Sequence, residues 1–390
     1  MDIKEKSRER ANLFKGAITK KENKRVPHLL NAYSWKVYDA GYKLSESVNN
    51  YEIMKNVIRH LCDTYQADFL ADYGDRNPIR VSESLGNMEY MIDDATNAIN
   101  VRDQCFMESD EYAKLIDNPK KFIWETILPR KFKDLQKKNN SGQFMNFIHE
   151  YGDFFTAIDQ CISIAENEYG IPNIADFVTT PVYPWTSGYE LLFNFFRGIK
   201  GLSVDMRRDA KMVQAAIEAL EAEFFDPKLE AAKNTVTHGT CPETGADAYV
   251  LMLCHTILNG KQFEKFYWPY LEKVSKYLTE YDKLAYFFIE GDSSRLYDFF
   301  NQLPDNRCVL HVEQNDIFDM KKKVKCALAG GMPCSLLGNS TPEKCVDYAK
   351  KLVDELAYDN GYIFSEDKMV SFADDCRREN LQAVCEYLNA

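Results

Sequence analysis

Polar and apolar residues alternate along this chain in two different rhythms. Up to about residue 66 the apolar positions recur at helical spacing. In SESVNNYEIMKNVIRHLCDTYQ, Tyr51, Met54, Val57, Ile58 and Leu61 fall on one face, and the turns between such segments are basic. A short strand-like run, ADFLADYG, follows at 67–74. Residues 76–150 mix loops and helices, with a capping signal at Ser109 and a helix stop before Pro129. From about residue 151 the rhythm changes. Helical patterns at 151–168, 188–198, 206–225, 261–280, 293–302, 316–323, 341–358 and 376–388 separate short apolar runs. Those runs are IADFVTT (174–180), ADAYVLML (246–253), LAYFFI (284–289), CVLHV (308–312), CALAGG (326–331) and NGYIFS (360–365). A further strand is expected near 200–204, in GLSV.

Strands alternating with helices predict βαβ units around a parallel sheet. A count of about eight favours a closed (β/α)8 TIM-type barrel over an open sheet. The expected α/β organisation is an N-terminal helical extension over 1–66 and a barrel over 67–390. Neither GxGxxG nor GxxxxGK[ST] follows any of the predicted strands, so the usual nucleotide fingerprints are missing.

Composition narrows the function classes. The 390 residues carry 48 basic and 60 acidic side chains, a net charge of −12. A nucleic-acid backbone is thereby disfavoured as the main ligand, because its binders need a positive footprint. The eleven cysteines are scattered and never form a CxxC pair, which suits reduced thiols in a reducing compartment. No apolar run approaches the length that spans a bilayer, and MDIKEKSRERANLF has no apolar signal-peptide core. A cytoplasmic location is expected.

In a parallel barrel, chemistry sits at the carboxyl ends of the strands. Glu290 lies just past LAYFFI and is followed at once by Gly291; His311 is near the end of CVLHV. A carboxylate and an imidazole on neighbouring strand ends form a candidate catalytic and metal-ligating pair. A metal site of the zinc type needs a third protein ligand. Glu366 is the first choice and His255 the second; Asp367 and Glu313 are further strand-end acids, whereas Cys308, at a strand start, faces the wrong end. Tyr183, Trp185, His255 and Met332 are candidate substrate contacts. Each has a structural alternative. Glu290 could bond the amides of its own turn, His311 could be a core histidine, and His255 could cap a helix. Trp268 reads as packing, Asp205 with Arg207 and Arg208 as an ion-pair network, and Lys21 to Arg25 as a solvated basic stretch.

The final stretch, GGMPCSLLGNSTPEKCVDYAKKLVDELAYDNGYIFSEDKMVSFADDCRRENLQAV, resembles the uroporphyrinogen decarboxylase superfamily. It has a Gly-Met-Pro turn, a Thr-Pro-Glu helix start, a Gly-Tyr-Ile strand and a Glu-Asn-Leu helix. Upstream, FYWPYLEKV, FRGIKGLSVDMRR and DEYAKLI are similar to its longer, methyltransferase-like branch. The resemblance implies a distorted (β/α)8 barrel and one of two chemistries. Decarboxylases of the superfamily carry an RQAGR-like loop near the N-terminus, and Asp75-Arg76-Asn77 is no match for it.

The second chemistry is methyl transfer to or from a corrinoid protein, in many members through a His-x-Cys plus Cys zinc site. Phe288, Glu290 and Lys368 stand at those positions here. Aryl-ether demethylating methyltransferases are similar, with a Glu-x14-Glu-x20-His zinc pattern; Glu290 and His311 keep its second half, while Ser275 replaces its first glutamate. The resemblance therefore implies a zinc-dependent methyltransferase that moves a methyl group from a small methylated donor, such as an aromatic methyl ether, to a corrinoid carried by a partner protein. Glu290 and His311 are the metal ligands that the resemblance implies, and Glu366, the first choice among the strand-end candidates, completes the expected set. Dimers are common in the superfamily, so a homodimer is an expected arrangement. A decarboxylase of a carboxylated substrate and a non-catalytic ligand-binding barrel are the competing readings.

Overall fold

The computed structural model of the chain describes residues 2–74, 77–137, 141–175, 186–233 and 243–390. The apolar runs become parallel strands because they are apolar throughout, and a parallel sheet is buried on both faces. Short strands β1 (Leu29–Leu30) and β2 (Phe69–Leu70) pair with each other, and β3 (Tyr90–Asp93) and β4 (Ala98–Val101) form a separate antiparallel hairpin. The main parallel sheet runs in the order β5 (Ala248–Met252), β6 (Ala285–Ile289), β7 (Cys308–Val312), β8 (Ala327–Met332) and β9 (Tyr362–Glu366). Isolated parallel bridges extend it at both edges. Asn173 meets Thr244 beside β5, while His28 meets Phe364 and Ala32 meets Val370 beside β9. The parallel segments therefore follow one another as Asn173, β5 to β9, β1 and β2. Among the described residues no ladder joins β2 to the Asn173 segment; there the Tyr73 hydroxyl donates to the Pro172 carbonyl at 3.2 Å.

Two sequence expectations are corrected. GLSV is not a strand but lies inside a helix, Gly198–Arg208, whose buried Leu202 and Met206 are four residues apart. The stretch 1–66, expected to be helical throughout, contributes β1. Two residues are too few for an alternating pattern to register in sequence. Of IADFVTT, Ile174 and Ala175 are buried, and the remainder lies outside the described residues.

The two faces of the sheet bury different sets. Tyr249, Tyr286, Phe288, Val309, Ala327, Ala329, Ile363, Leu29 and Phe69 form one cluster with Phe14 of helix α1 (Ile3–Ile18). The alternate residues, such as Val250, Phe287, Leu310, Leu328 and Phe364, pack outward in the larger core. That core also holds residues of α2 (Tyr51–Tyr65), α3 (Ser141–Tyr169), α4 (Gly198–Arg208), α5 (Trp268–Glu280), α6 (Ile317–Lys323), α7 (Pro342–Leu356) and α8 (Arg378–Asn389). Helix α1 joins this cluster through Phe14, Ala17 and Ile18. Phe14 lies 4.5 Å, centroid to centroid, from Phe69 and 6.1 Å from Tyr286.

A buried ion cluster fixes this arrangement. Asp68, directly before β2, accepts two 2.6 Å bonds from Arg25 and one of 2.9 Å from the His28 amide, and lies 3.3 Å from Arg10 of α1. Arg10 also donates to the carbonyls of Tyr169 and Gly170, each at 2.9 Å. Burial pushes the Asp68 carboxyl up, but the Arg25 bonds and the charges of both guanidiniums outweigh it and hold it below its ordinary value. Arg25, expected to be solvated, thus ties β1 to β2. Removing one member strands the others as uncompensated buried charges. Asp68→Ala is expected to lower the unfolding free energy by about 3–5 kcal/mol, measured by urea titration. A loss below about 1 kcal/mol would show that the cluster is not what anchors α1.

Candidate functional site

The register of the main sheet decides where each candidate residue falls. His311 pairs across with Phe288 on β6 and Ala329 on β8. It is fully buried, and both ring nitrogens are engaged. The Tyr286 hydroxyl meets Nδ1, and Nε2 lies 3.0 Å from the Glu366 carbonyl oxygen. A carbonyl only accepts, so Nε2 carries the proton and the Tyr286 hydroxyl donates to Nδ1. Burial lowers the His311 pKa to about 4, although the Glu366 carbonyl works in the opposite sense, so the ring is neutral.

The reach from β7 to β9 crosses β8, and the sequence of β8 permits it. A side chain on Gly330 would come within 2.7 Å of the Val312 carbonyl and 3.1 Å of the His311 ring, and its φ of +105° suits glycine. Glu366 then extends the line. One carboxylate oxygen accepts from the Asn31 amide at 2.7 Å, next to β1. The other is buried without a hydrogen bond, and burial raises the carboxyl to about 7. On the far side Tyr249 of β5 stacks on Tyr286 at 5.3 Å and 14°. A continuous series of contacts therefore runs Tyr249, Tyr286, His311, Glu366, Asn31.

Glu290 follows β6 on a turn whose amide bonds to the Met252 carbonyl at 3.0 Å. It is half-buried, and its charge raises the pKa of the neighbouring Cys254 thiol, though less than burial and Glu190 do. The next residue, Gly291, has φ +70°, lies against Thr256 and donates its N–H to Glu313 at 2.9 Å. Glu313, two residues past His311, thus bridges the ends of β6 and β7. Burial raises its carboxyl above the ordinary range, and the nearby Asp367 adds to this against the pull of Gly291 and Lys368. Asp367 is raised in the same way, by burial first, while accepting from the Cys334 amide at 3.0 Å. Glu313, Asn315, Asp367, Lys368 and Tyr348 help line a cleft of about 620 Å³ at this end of the sheet.

The structure separates several residues that sequence grouped together. The set Glu290, His311 and Glu366 is not assembled as a metal site. His311 has no free ring nitrogen, Glu366 points away toward Asn31, and no group of three His, Cys, Asp or Glu side chains able to hold a metal occurs among the described residues. Among the described residues, that set does not fit the zinc expectation. Met332 is fully buried in the larger core, not on the cleft. His255 is fully buried, set edge-on to Tyr267 at 6.3 Å, and burial lowers its pKa to about 3. Arg295 clamps its turn by bonding the His255 and Leu258 carbonyls at 2.7 and 2.6 Å. Tyr183 and Trp185 lie outside the described residues. Trp268 packs against Phe299, and Asp205 pairs with Arg197 at 2.6 Å, not with Arg207 or Arg208.

Two groups were missed. Tyr286 and Tyr249 were read only as apolar strand residues. The repeated Ala-Tyr of ADAYVLML and LAYFFI, which the sheet aligns as Ala248 with Ala285 and Tyr249 with Tyr286, was the available signal. Glu190, fully buried, accepts from the Leu253 and Cys254 amides at 2.9 Å each and from the Tyr267 hydroxyl at 2.8 Å. It holds the end of β5, and burial raises its carboxyl. Nothing local in GYELLF indicates a partner more than sixty residues away.

Residues 232–387 match the family model of uroporphyrinogen decarboxylase (URO-D), so the superfamily resemblance is borne out over that span. A methyltransferase from Methanosarcina mazei shares the fold, with a TM-score of 0.59 over 100% of this chain and 98% of that one, at 12% identity. No curated protein matches in sequence. No helix among the described residues is long and apolar enough to cross a membrane.

The buried histidines make stability pH-dependent. His28 and His311 at about 4 and His255 at about 3 all lie below the unfolded value near 6.5. Their contribution is complete above pH ~6.5 and is lost as pH falls toward those values. Glu366, raised to about 7, acts oppositely, its contribution being complete below about 4.5 and lost as pH rises through 7. Glu190, Glu313 and Asp367, also raised by burial, act in the same sense as Glu366. Removing one opposing carboxyl uncovers more of the histidine contribution, so urea midpoints are expected to fall more steeply between pH ~6.5 and ~4.5 in Glu366→Gln than in wild type. An unchanged slope would mean that Glu366 is not raised. Separately, Tyr286→Phe leaves Nδ1 without its donor and is expected to cost about 1–3 kcal/mol, with the imidazole ¹⁵N shift of His311 reporting the change.

Proposed function

We propose that this chain, whose C-terminal part belongs to the uroporphyrinogen decarboxylase superfamily, is a methyltransferase that passes a methyl group from a small methylated donor, such as an aromatic methyl ether, to a corrinoid held by a separate protein. The observation that carries the reading is the end-to-end likeness to a methyltransferase fold, combined with a charged cleft at the carboxyl ends of the strands. The architecture we infer is a (β/α)8 barrel with that cleft at its mouth, where such folds place their chemistry.

The reduced corrinoid supplies the nucleophile. The bond from the methyl carbon to the donor heteroatom breaks as the bond to the acceptor forms. The electron pair left on the heteroatom takes up a proton. Glu313 is suited to give that proton. Its carboxyl is half-buried, held in place by the Gly291 N–H, and shifted so that it keeps its proton to a higher pH than an ordinary glutamate. This assigns to Glu313 the leaving-group role that the superfamily resemblance gives to zinc. Asp367, on the same cleft and likewise raised by burial, is the second acid beside Glu313. His311, neutral and tied on both sides, positions the end of β7 from which Glu313 projects.

The URO-D match favours a second reading, decarboxylation of a carboxylated substrate. The two are separated by incubating the protein with methylcobalamin and candidate phenols, and in parallel with uroporphyrinogen. Loss of the methylcobalamin spectrum with formation of a methyl ether is expected, since the reverse reaction uses the same site. Release of carbon dioxide without any methyl transfer would overturn the proposal. Glu313→Gln is expected to lower kcat by about 100-fold or more for poor leaving groups. It should also abolish the fall in rate that wild type shows as pH rises through the Glu313 pKa. An unchanged pH profile would remove Glu313 from the mechanism.

A further inference from the structure

A second cavity lies at the other end of the sheet from the cleft, beside Tyr362, the first residue of β9. It measures about 550 Å³, within the span of small-molecule sites. Pieces of chain far apart in sequence enclose it: α1, the loop before β1, the end of α7 and the end of α8. One wall is apolar. Leu13 of α1 and Leu388 of α8 are buried, while Val353 of α7 and Ala357 just past it are half-buried. The other wall carries charge. Glu9, one turn before Leu13 on α1, pairs with Lys24 at 3.3 Å, and Arg25 comes next in the chain.

Arg25 gives this cavity its chemistry. Its Nη1 and Nη2 each donate to Asp68 at 2.6 Å, and Nη1 also reaches the Val26 carbonyl at 3.3 Å. A guanidinium has N–H donors to spare beyond these, so Nε and the second hydrogen of Nη2 have no partner among the described residues. The charge around it is unbalanced as well. Arg10 lies 3.3 Å from the same Asp68, so two guanidiniums share one carboxylate, while Lys24 and Glu9 cancel. Arg10, Arg25 and Lys24 set against Asp68 and Glu9 leave one side-chain cation in excess. Charges withdrawn from water are stable when paired. The Arg25 side chain is 34% exposed, so the excess is within reach of a ligand in the cavity. A cation is repelled by this wall, and a neutral apolar molecule leaves its donors unpaired. A carboxylate matches the guanidinium fork, and an apolar body behind it covers the leucine wall.

We propose that this cavity binds a small monocarboxylate with an apolar body, the carboxylate held by Arg25 and Lys24 and the body lying against Leu13, Val353, Ala357 and Leu388. The site is separate from the cleft, and the inference is independent of the catalytic reading. Isothermal titration of octanoate into the full-length protein tests it. Wild type is expected to take up one octanoate per chain with a Kd below about 1 mM, and to bind octanol and octylammonium at least about tenfold more weakly. Its thermal midpoint is expected to rise with octanoate concentration, because the ligand ties α1 to α7 and α8 in the folded state alone. Lys24→Glu, at a side chain that is 84% exposed, is expected to weaken octanoate about fivefold. Ala357→Trp, whose indole fills the cavity, is expected to weaken it about tenfold or more, with circular dichroism unchanged for both variants. Lys351→Glu, on the cleft at the other end of the sheet, is expected to bind octanoate like wild type. No saturable binding up to about 10 mM octanoate overturns the proposal. So does octanol that binds as tightly as octanoate, wild-type affinity in Lys24→Glu and Ala357→Trp, or loss of binding in Lys351→Glu.

Discussion

The fold around the candidate site depends on one hydrogen-bonded crossing, that of His311 over β8 to the Glu366 carbonyl. A polar ring inside an apolar sheet is costly unless both nitrogens are satisfied. Tyr286 satisfies one and β9 the other, so the imidazole links β6, β7 and β9 in a single geometry. The crossing exists because β8 presents Ala329 and Gly330 beneath the ring, where a larger residue would collide. The same constraint fixes the tautomer, keeps the ring neutral and takes the histidine out of use as a metal ligand.

That crossing belongs to the upper half of a molecule whose lower half is held by charge. At the amino ends of the strands, Asp68 collects two guanidiniums and a backbone amide and draws α1 against the inner face of the sheet. At the carboxyl ends, Glu190, Glu313, Asp367 and Glu366 each accept backbone amides of neighbouring strand ends or loops. Buried carboxylates are expensive, and burial raises all four. The residual effect is a face rich in acids that hold protons more readily than ordinary ones. Under the proposed function, such a face serves proton transfer to a leaving group. It does not bring together three ligands for a metal among the described residues.

Much of this organisation was legible in the sequence, and the losses have identifiable causes. LAYFFI, CVLHV and NGYIFS were readable as strands because burial on both faces demands unbroken apolar runs. β1 was not, because two residues within a basic stretch carry no periodicity. GLSV looked like a strand only as a four-residue window; over eleven residues its apolar positions follow a helical step. Glu290 and His311 were correctly placed on neighbouring strand ends, since their order along the chain and the parallel register settle that much. Which atoms they face was not readable.

Sequence by itself determined the alternation of strands and helices, the acidic balance, the superfamily pattern of the C-terminal part and the end of the sheet at which polar residues gather. All of these follow from local periodicity and composition. Only the tertiary structure decided that His311 is saturated by Tyr286 and Glu366, that Glu366 turns toward Asn31, and that Glu313 closes the turn after β6. The reason is common to all three. Hydrogen bonding and exposure are set by atoms that arrive from 22 to 335 residues away, and the local pattern around a side chain says nothing about which of them will be there.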